Sequence, residues 1–218
     1  DSKDSVFRFS DLQACGVETD SWQDHDPDAP RPFGDRPVWG GFDPARSGDL
    51  SCFVIVAPPM FAPEKFRVLR VFSWKGMNFR YQAKQIEDLF RRYNFTYIGV
   101  DVTGIGQGVF ENIQHFAMRV AKPIRYDRNT KDQLVLKACD VVESSRIEWD
   151  KDLKEIPASF MAIRRTSTQS GNAMTFVADR TAETGHAESF WAITHALHNE
   201  PLNYENKPKS KWGLKKAA

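Results

Sequence analysis

The chain has 218 residues, 41% of them hydrophobic and 12% aromatic, which supports one substantial core with room for a short appendage. Lys+Arg total 30 against Asp+Glu 29, a formal charge of +1, so net charge singles out neither a polyanionic nor a polycationic partner. No run approaches the ~18 apolar residues of a membrane span, no signal peptide is evident, and the three scattered cysteines (Cys15, Cys52, Cys139) set neither a metal spacing nor a disulfide framework, which favours a reducing compartment.

The charge is unevenly spread. Residues 1–36 hold nine acids and four Lys/Arg, a local net of −5, whereas Lys207, Lys209, Lys211, Lys215 and Lys216 follow the last acid, Glu205. The first residue is Asp rather than Met, so the chain reads as a piece of a longer protein. Residues 1–36, with "DSWQDHDPDAPRPFGDRP", read as an acidic linker or arm of little periodicity. Phe7, Phe9, Leu12 and Trp22 are the residues by which it would dock on a neighbour.

Regular signals begin at residue 37. "VWGGFD" and "SCFVIVA" are two β-type runs joined by a hairpin-length turn containing Gly48, and "FRVLRVFSW" is a third, so the three predict an antiparallel meander. "NFRYQAKQIEDLFRRYN" spaces Phe79, Ala83, Ile86, Phe90 and Tyr93 by three or four, an amphipathic helix. "TYIGVD" is a buried strand, "GQGVFENIQHFAM" a helix, "KPIRYD" a short strand and "KDQLVLKACDVVESS" a helix with Leu134, Cys139 and Val142 facing in. "RIEW" is brief and extended. "IPASFMAIRR" is helical or mixed, "AMTFVAD" a strand and "GHAESFWAITHALHN" a closing helix. The order β-β-β-α-β-α-β-α with a β/α remainder predicts an α/β fold on a mixed sheet, an antiparallel hairpin start followed by crossover units. Residues 201–218 form a basic tail.

Two of the strands end in aspartate, at Asp43 and Asp101. Ligands of α/β sheets gather outside the carboxyl ends of strands, and if these two strands are neighbours their carboxylates share one site. The last helix adds Glu188, three and four positions before Trp191 and Ala192 and so on its apolar side. Each acid alone has an ordinary reading: Asp43 or Asp101 as a turn cap, Glu188 as an acid favoured by the helix dipole. Together they make a hard, oxygen-rich donor set that suits Mg²⁺ or Mn²⁺ and suits Zn²⁺ poorly. Without a cation, clustered carboxylates raise one another's pKa. Asp49 is either a helper in this site or a turn residue. "DVTGIGQG" has the glycines of a phosphate loop, but Val109 fills the last Gly slot of the dinucleotide fingerprint.

The segments "GFDPARSGDLSCFVIV", "YIGVDVTGIGQGVFENI" and "TGHAESFWAITHAL" together resemble the nuclease domain of tailed-bacteriophage terminase large subunits, members of the ribonuclease H-like superfamily. The resemblance covers roughly residues 37–200. It implies a ribonuclease H-like mixed sheet flanked by helices and a metal-dependent endonuclease that cuts concatemeric viral double-stranded DNA during packaging. Asp43, Asp101 and Glu188 would be catalytic ligands of two Mg²⁺ or Mn²⁺ ions, Asp43 bridging them. The family's third motif commonly reads Gly-His-x-Asp; here Glu188 stands in the Asp position, with Asp179 as the reserve ligand and His186 as an auxiliary residue.

The resemblance also implies an ATPase domain N-terminal to this segment, with residues 1–36 as its linker. No Walker motif occurs in this chain itself. A small terminase subunit and the portal are the implied further partners, and the host cytoplasm the implied location, with no membrane. Candidates to hold DNA phosphates are Arg125, Arg128 and Lys131 beyond the short strand, then Arg164, Arg165 and Arg180, with Thr166–Asn172 as a hairpin tip. Acid-ended strands in this order also occur in resolvases, transposases and actin- or sugar-kinase-like ATP-binding domains; branched-DNA preference or ATP binding would mark those.

Overall fold

The structure is a computed structural model and describes residues 5–45, 50–167, 174–178 and 187–202. The described elements run α1 (Phe9–Ala14), β1 (Gly16–Val17), a 3-10 turn (Thr19–Ser21), β2 (Pro37–Asp43), β3 (Leu50–Ala57), β4 (Phe66–Lys75), α2 (Phe79–Arg92), β5 (Asn94–Asp101), α3 (Gly106–Ala117), β6 (Ala121–Ile124), α4 (Arg128–Glu143), β7 (Ile147–Asp150), α5 (Glu155–Met161), β8 (Ile163–Ser167), β9 (Met174–Ala178) and α6 (Glu188–Leu197).

Seven strands form one mixed sheet in the order β1-β7-β4-β3-β2-β5-β6. β2, β3 and β4 are the expected antiparallel meander. β5 then returns parallel to β2, β6 parallel to β5, and β7 parallel to β4. This is the ribonuclease H-like arrangement. β3 lies mid-sheet and reads as a continuous apolar run because both of its faces are covered. Cys52, Val54 and Val56 face a core shared with α1, α4, α5 and α6, whereas Phe53, Ile55 and Ala57 face a second core under α2 and α3.

Local chemistry starts the helices where it can. Asn78 accepts from the Tyr81 amide at 2.9 Å and Asp127 from the Thr130 amide at 2.7 Å, each satisfying one of the unpaired first-turn donors. Asp127 therefore caps α4 rather than ending the preceding strand. "IPASFMAIRR" resolves into two elements, the helix α5 and the strand β8, which pairs antiparallel with β9 in a separate two-stranded sheet.

From Ser5 onward the acidic N-terminal segment packs on the domain. Phe7, Leu12 and Cys15 enter one core and Trp22 and Phe33 the other; Phe9 stays 46% exposed. β1 adds to the sheet edge beside β7. Asp24 accepts from Arg67 at 2.7 Å and Arg36 at 2.6 Å, while Arg36 also reaches Glu64 at 2.9 Å. The acid of this segment is thus partly matched by Arg67 of the folded body and by the segment's own Arg36. Among the described residues no helix is long and apolar enough to cross a membrane.

Candidate active site

β2 and β5 lie side by side and parallel, with Phe42 opposite Val100. The next residue on each strand is an aspartate, so Asp43 and Asp101 end adjacent strands at the same edge of the sheet. Asp101 in turn pairs with Ile124, the last residue of β6, so the residues from Arg125 onward leave the sheet at this edge too.

The glycines two positions before each aspartate have a packing role. Gly41 and Gly99 face each other across β2 and β5. A Cβ on Gly41 would stand 1.8 Å from the Ala192 carbonyl oxygen and 2.6 Å from the Ala196 nitrogen, and one on Gly99 would stand 2.4 Å from the His195 carbonyl oxygen. Two side-chain-free positions let the backbone of α6 press directly onto the central strands. α6 is buried along nearly all its length, with Ser189, Thr194 and His195 among its buried residues, so it presents no polar face to solvent beyond Glu188 at its start.

Cys52 relates Glu188 to Asp43. It pairs with Asp43 across β2 and β3, and its thiol lies 3.9 Å from the hydroxyl of Ser189, the residue after Glu188. Burial pushes the Cys52 thiol up to about 12, with the Ser189 hydrogen bond opposing and the negative charges of Asp43 and Glu188 adding to the rise. Both carboxylates therefore act on the same sulfur. Tyr126 reports the other pair: burial first, then Asp43 and Asp101, raise its phenol well above the ordinary value. Asp101 is itself raised by burial, against the Thr103 amide that donates to Oδ1 at 2.7 Å.

Among the described residues no three Asp, Glu, His or Cys side chains are drawn into a ready-made metal-binding group. Asp43 and Asp101 end neighbouring strands, and Cys52 is the neighbour that Asp43 shares with Glu188. Their donor chemistry fits a hard divalent ion: carboxylates alone, partly desolvated, on rigid elements.

The glycines after Asp101 serve the backbone. Gly104 has φ +64°, and a Cβ on Gly106 would fall 1.9 Å from the Asp101 carbonyl oxygen. The tight turn behind Asp101 requires both, which accounts for two of the glycines that suggested a phosphate loop.

Tyr126 and His195 are functional candidates that the sequence reading missed. His195 Nδ1 lies 3.0 Å from the Phe42 carbonyl oxygen, and its Nε2 lies 2.6 Å from the Tyr126 hydroxyl. The Tyr126 ring packs on Trp191 at 5.5 Å. A signal for His195 was present: it lies seven positions after Glu188, two helical turns along the same face. Tyr126 had the cue of standing just past the end of a parallel strand.

The remaining candidates are dispersed. Arg125 is exposed and reaches the Gln107 side chain at 3.3 Å; Arg128 is exposed at the start of α4. Lys131 lies over the Trp191 ring at 5.5 Å, its pKa lowered by burial. Arg164 and Arg165 sit on β8, away from the seven-stranded sheet, Arg164 bonded to the Met161 carbonyl and Arg165 over Phe176 at 6.0 Å. Asp49, Asp179, Arg180, His186, most of the proposed hairpin tip and the basic tail from residue 203 lie outside the described residues.

Comparison with known proteins agrees with the fold. The family model described as the terminase RNaseH-like domain matches residues 40–200. The chain is 47% identical over 214 residues to the probable terminase, ATPase subunit, of Haemophilus phage HP1, covering 98% of this chain and 35% of that protein. It is 48% identical over 203 residues to the terminase, ATPase subunit, of Escherichia phage P2, covering 93% of this chain and 34% of that one. The chain thus spans about a third of the length of these relatives. Among solved structures, the large terminase nuclease of thermophilic phage G20c with bound magnesium superposes with a TM-score of 0.68 at 19% identity, covering 91% of this chain and 98% of that one.

Proposed function

The chain belongs to the terminase RNaseH-like domain family, and we propose that it is the metal-dependent endonuclease domain of a phage large terminase, cutting concatemeric double-stranded DNA during genome packaging. The observation that carries the reading is the pairing of β2 with β5, which ends two adjacent strands in Asp43 and Asp101 at the edge where α6 begins with Glu188. The magnesium in the G20c nuclease supports a divalent ion as the cofactor.

In this reading Asp43, Asp101 and Glu188 would hold the Mg²⁺ or Mn²⁺ ions, two in number. When bound, the ions supply an activated water and stabilise the leaving oxygen of the phosphodiester. The protein's own work is positional. β2 and β5 fix two carboxylates on a rigid sheet, and α6, seated on Gly41 and Gly99, fixes the third. Arg125, Arg128 and Lys131 stand just past the end of β6, at the same edge, where cations hold the backbone of the duplex. Arg164, Arg165 and Arg180 are more distant contacts. Asp49, Asp179 and His186 are auxiliary candidates.

The names of the curated relatives, together with the third of their length that this chain spans, support an ATPase domain elsewhere in the full protein, joined through the segment before residue 37. The packaging assembly would add a small terminase subunit and the portal, in the host cytoplasm.

Plasmid nicking tests the proposal. Wild-type chain should nick supercoiled plasmid only with Mn²⁺ or Mg²⁺, and Asp43→Ala should abolish nicking while its circular dichroism spectrum and cooperative melting persist. Undiminished cleavage by Asp43→Ala would remove the assignment. A strong preference for four-way junctions over linear duplex would point to a resolvase.

A further inference from the structure

The three elements that carry the candidate carboxylates are tied together by a series of hydrogen bonds through three residues, Thr103, Tyr126 and His195. The Thr103 amide donates to Asp101 Oδ1 at 2.7 Å. The Tyr126 amide donates to the Thr103 hydroxyl oxygen at 2.9 Å. The Tyr126 hydroxyl and His195 Nε2 are 2.6 Å apart, and His195 Nδ1 is 3.0 Å from the carbonyl oxygen of Phe42, the residue before Asp43. The chain thus starts on the side chain of Asp101, crosses α6, which begins at Glu188, and ends on the backbone beside Asp43.

Donor and acceptor roles along it are fixed. A carbonyl oxygen only accepts, so His195 Nδ1 carries the proton. The ring is fully buried and burial lowers its pKa to about 3, so it is neutral and Nε2 holds a lone pair. The Tyr126 hydroxyl must therefore donate to Nε2. Each joint has one permitted direction, and the Tyr126–His195–Phe42 part cannot rotate without leaving a buried polar atom of His195 unpaired, which costs about 1–3 kcal/mol. The Tyr126 ring is further clamped against Trp191 at 5.5 Å.

We propose that Thr103, Tyr126 and His195 are positioning residues for the metal centre: they set the separation of Asp43 and Asp101 and hold both in register with α6, so that the divalent ion finds its ligands in place. This rests on the reading of Asp43, Asp101 and Glu188 as metal ligands. Residues that orient ligands from behind commonly change metal affinity or activity by roughly 10–100-fold when removed, because misplaced carboxylates must be pulled into position by the ion itself.

The test is calorimetric titration of the chain with MnCl₂, with plasmid nicking against Mn²⁺ concentration alongside. Tyr126→Phe keeps the ring and removes the donor. Thr103→Val breaks the chain at an exposed joint, where the core cannot collapse, and Thr103→Ser restores the acceptor. Tyr126→Phe and Thr103→Val should each weaken Mn²⁺ binding roughly 10-fold or more, with the nicking midpoint moving in parallel and saturating Mn²⁺ recovering much of the rate. Thr103→Ser should bind Mn²⁺ like wild type.

Tyr93→Phe is the matched control. It removes a similar tyrosine–histidine hydrogen bond, 3.1 Å to His25, at the opposite end of β5, so it should lower stability and leave the Mn²⁺ dissociation constant unchanged. If wild type binds Mn²⁺ and nicks, but Tyr126→Phe and Thr103→Val match it in both, the positioning role is wrong while the metal assignment stands. If wild type neither binds Mn²⁺ nor nicks, the functional reading fails and takes this one with it.

Discussion

Gly41→Ala is a single-methyl change whose consequence follows from one distance. The new Cβ would sit 1.8 Å from the Ala192 carbonyl oxygen and 2.6 Å from the Ala196 nitrogen. Both are backbone atoms of a buried helix, so no side chain can swing aside. Relief requires α6 and β2 to separate by roughly 1.7 Å, to reach an ordinary contact distance near 3.5 Å. Overpacking of a tight core costs typically 1–3 kcal/mol. For a chain of this length that lowers the melting temperature by roughly 3–10 °C. The same displacement moves Glu188 relative to Asp43, and an error of about 1 Å in catalytic geometry costs on the order of 100-fold in rate. The assay is differential scanning calorimetry with Mn²⁺-dependent plasmid nicking, run beside Gly108→Ala. At Gly108 the new Cβ would meet only Phe79, at 3.7 Å, and alanine is the better helix former by about 1 kcal/mol, so that variant should be as stable as wild type or more so. Gly41→Ala melting and cutting like wild type would refute the claim that bare backbone at this position seats α6.

Mn²⁺ at ten times its dissociation constant should stabilise the folded chain by about 1.4 kcal/mol, a rise of roughly 3–6 °C that Asp43→Ala abolishes. Acid should destabilise the fold through His195. Its folded pKa is depressed to about 3 from 6.5, so between those values the unfolded chain binds a proton that the folded one refuses, and stability falls as pH drops, by up to about 1.4 kcal/mol per unit; urea denaturation of His195→Gln from pH 7 to pH 4 should show a shallower decline than wild type. Lys137 has a side chain only 3% exposed, bonded to Glu200, which Arg146 also holds at 2.7 Å. Lys137→Ala should lose roughly 1–3 kcal/mol in urea denaturation without changing Mn²⁺ affinity, since this cluster lies at the C-terminal end of α6, away from Glu188.

Much of this protein was legible along the chain, because the signals were local. Period-two and period-3.6 patterns placed the meander β2–β4 and the helices α2, α3 and α4. Two aspartates ending apolar runs, and a glutamate opening a small-residue helix, marked the candidate ligands. "IPASFMAIRR" blurred a helix into a strand because no glycine or proline marks the change; only pairing of Ile163–Ser167 with Met174–Ala178 gives β8 its identity. The acidic segment looked unstructured because its few apolar residues are too sparse for periodicity. Phe7, Leu12, Trp22 and Phe33 nevertheless each find a place in a core formed by distant residues.

Near neighbours in the chain marked most of the elements from residue 37 to Glu143, the acids at their ends and the glycines near them, since each depends on local pattern. The tertiary structure alone decided that β5 lies beside β2 rather than at a sheet edge, that Gly41 and Gly99 face one another under α6, and that His195 links Tyr126 to Phe42 across 69 and 153 residues. Those pairings join segments separated by several intervening strands and helices. Their free energy comes from burying surfaces that no local window contains, so the spacing of the site is a property of the fold rather than of any motif.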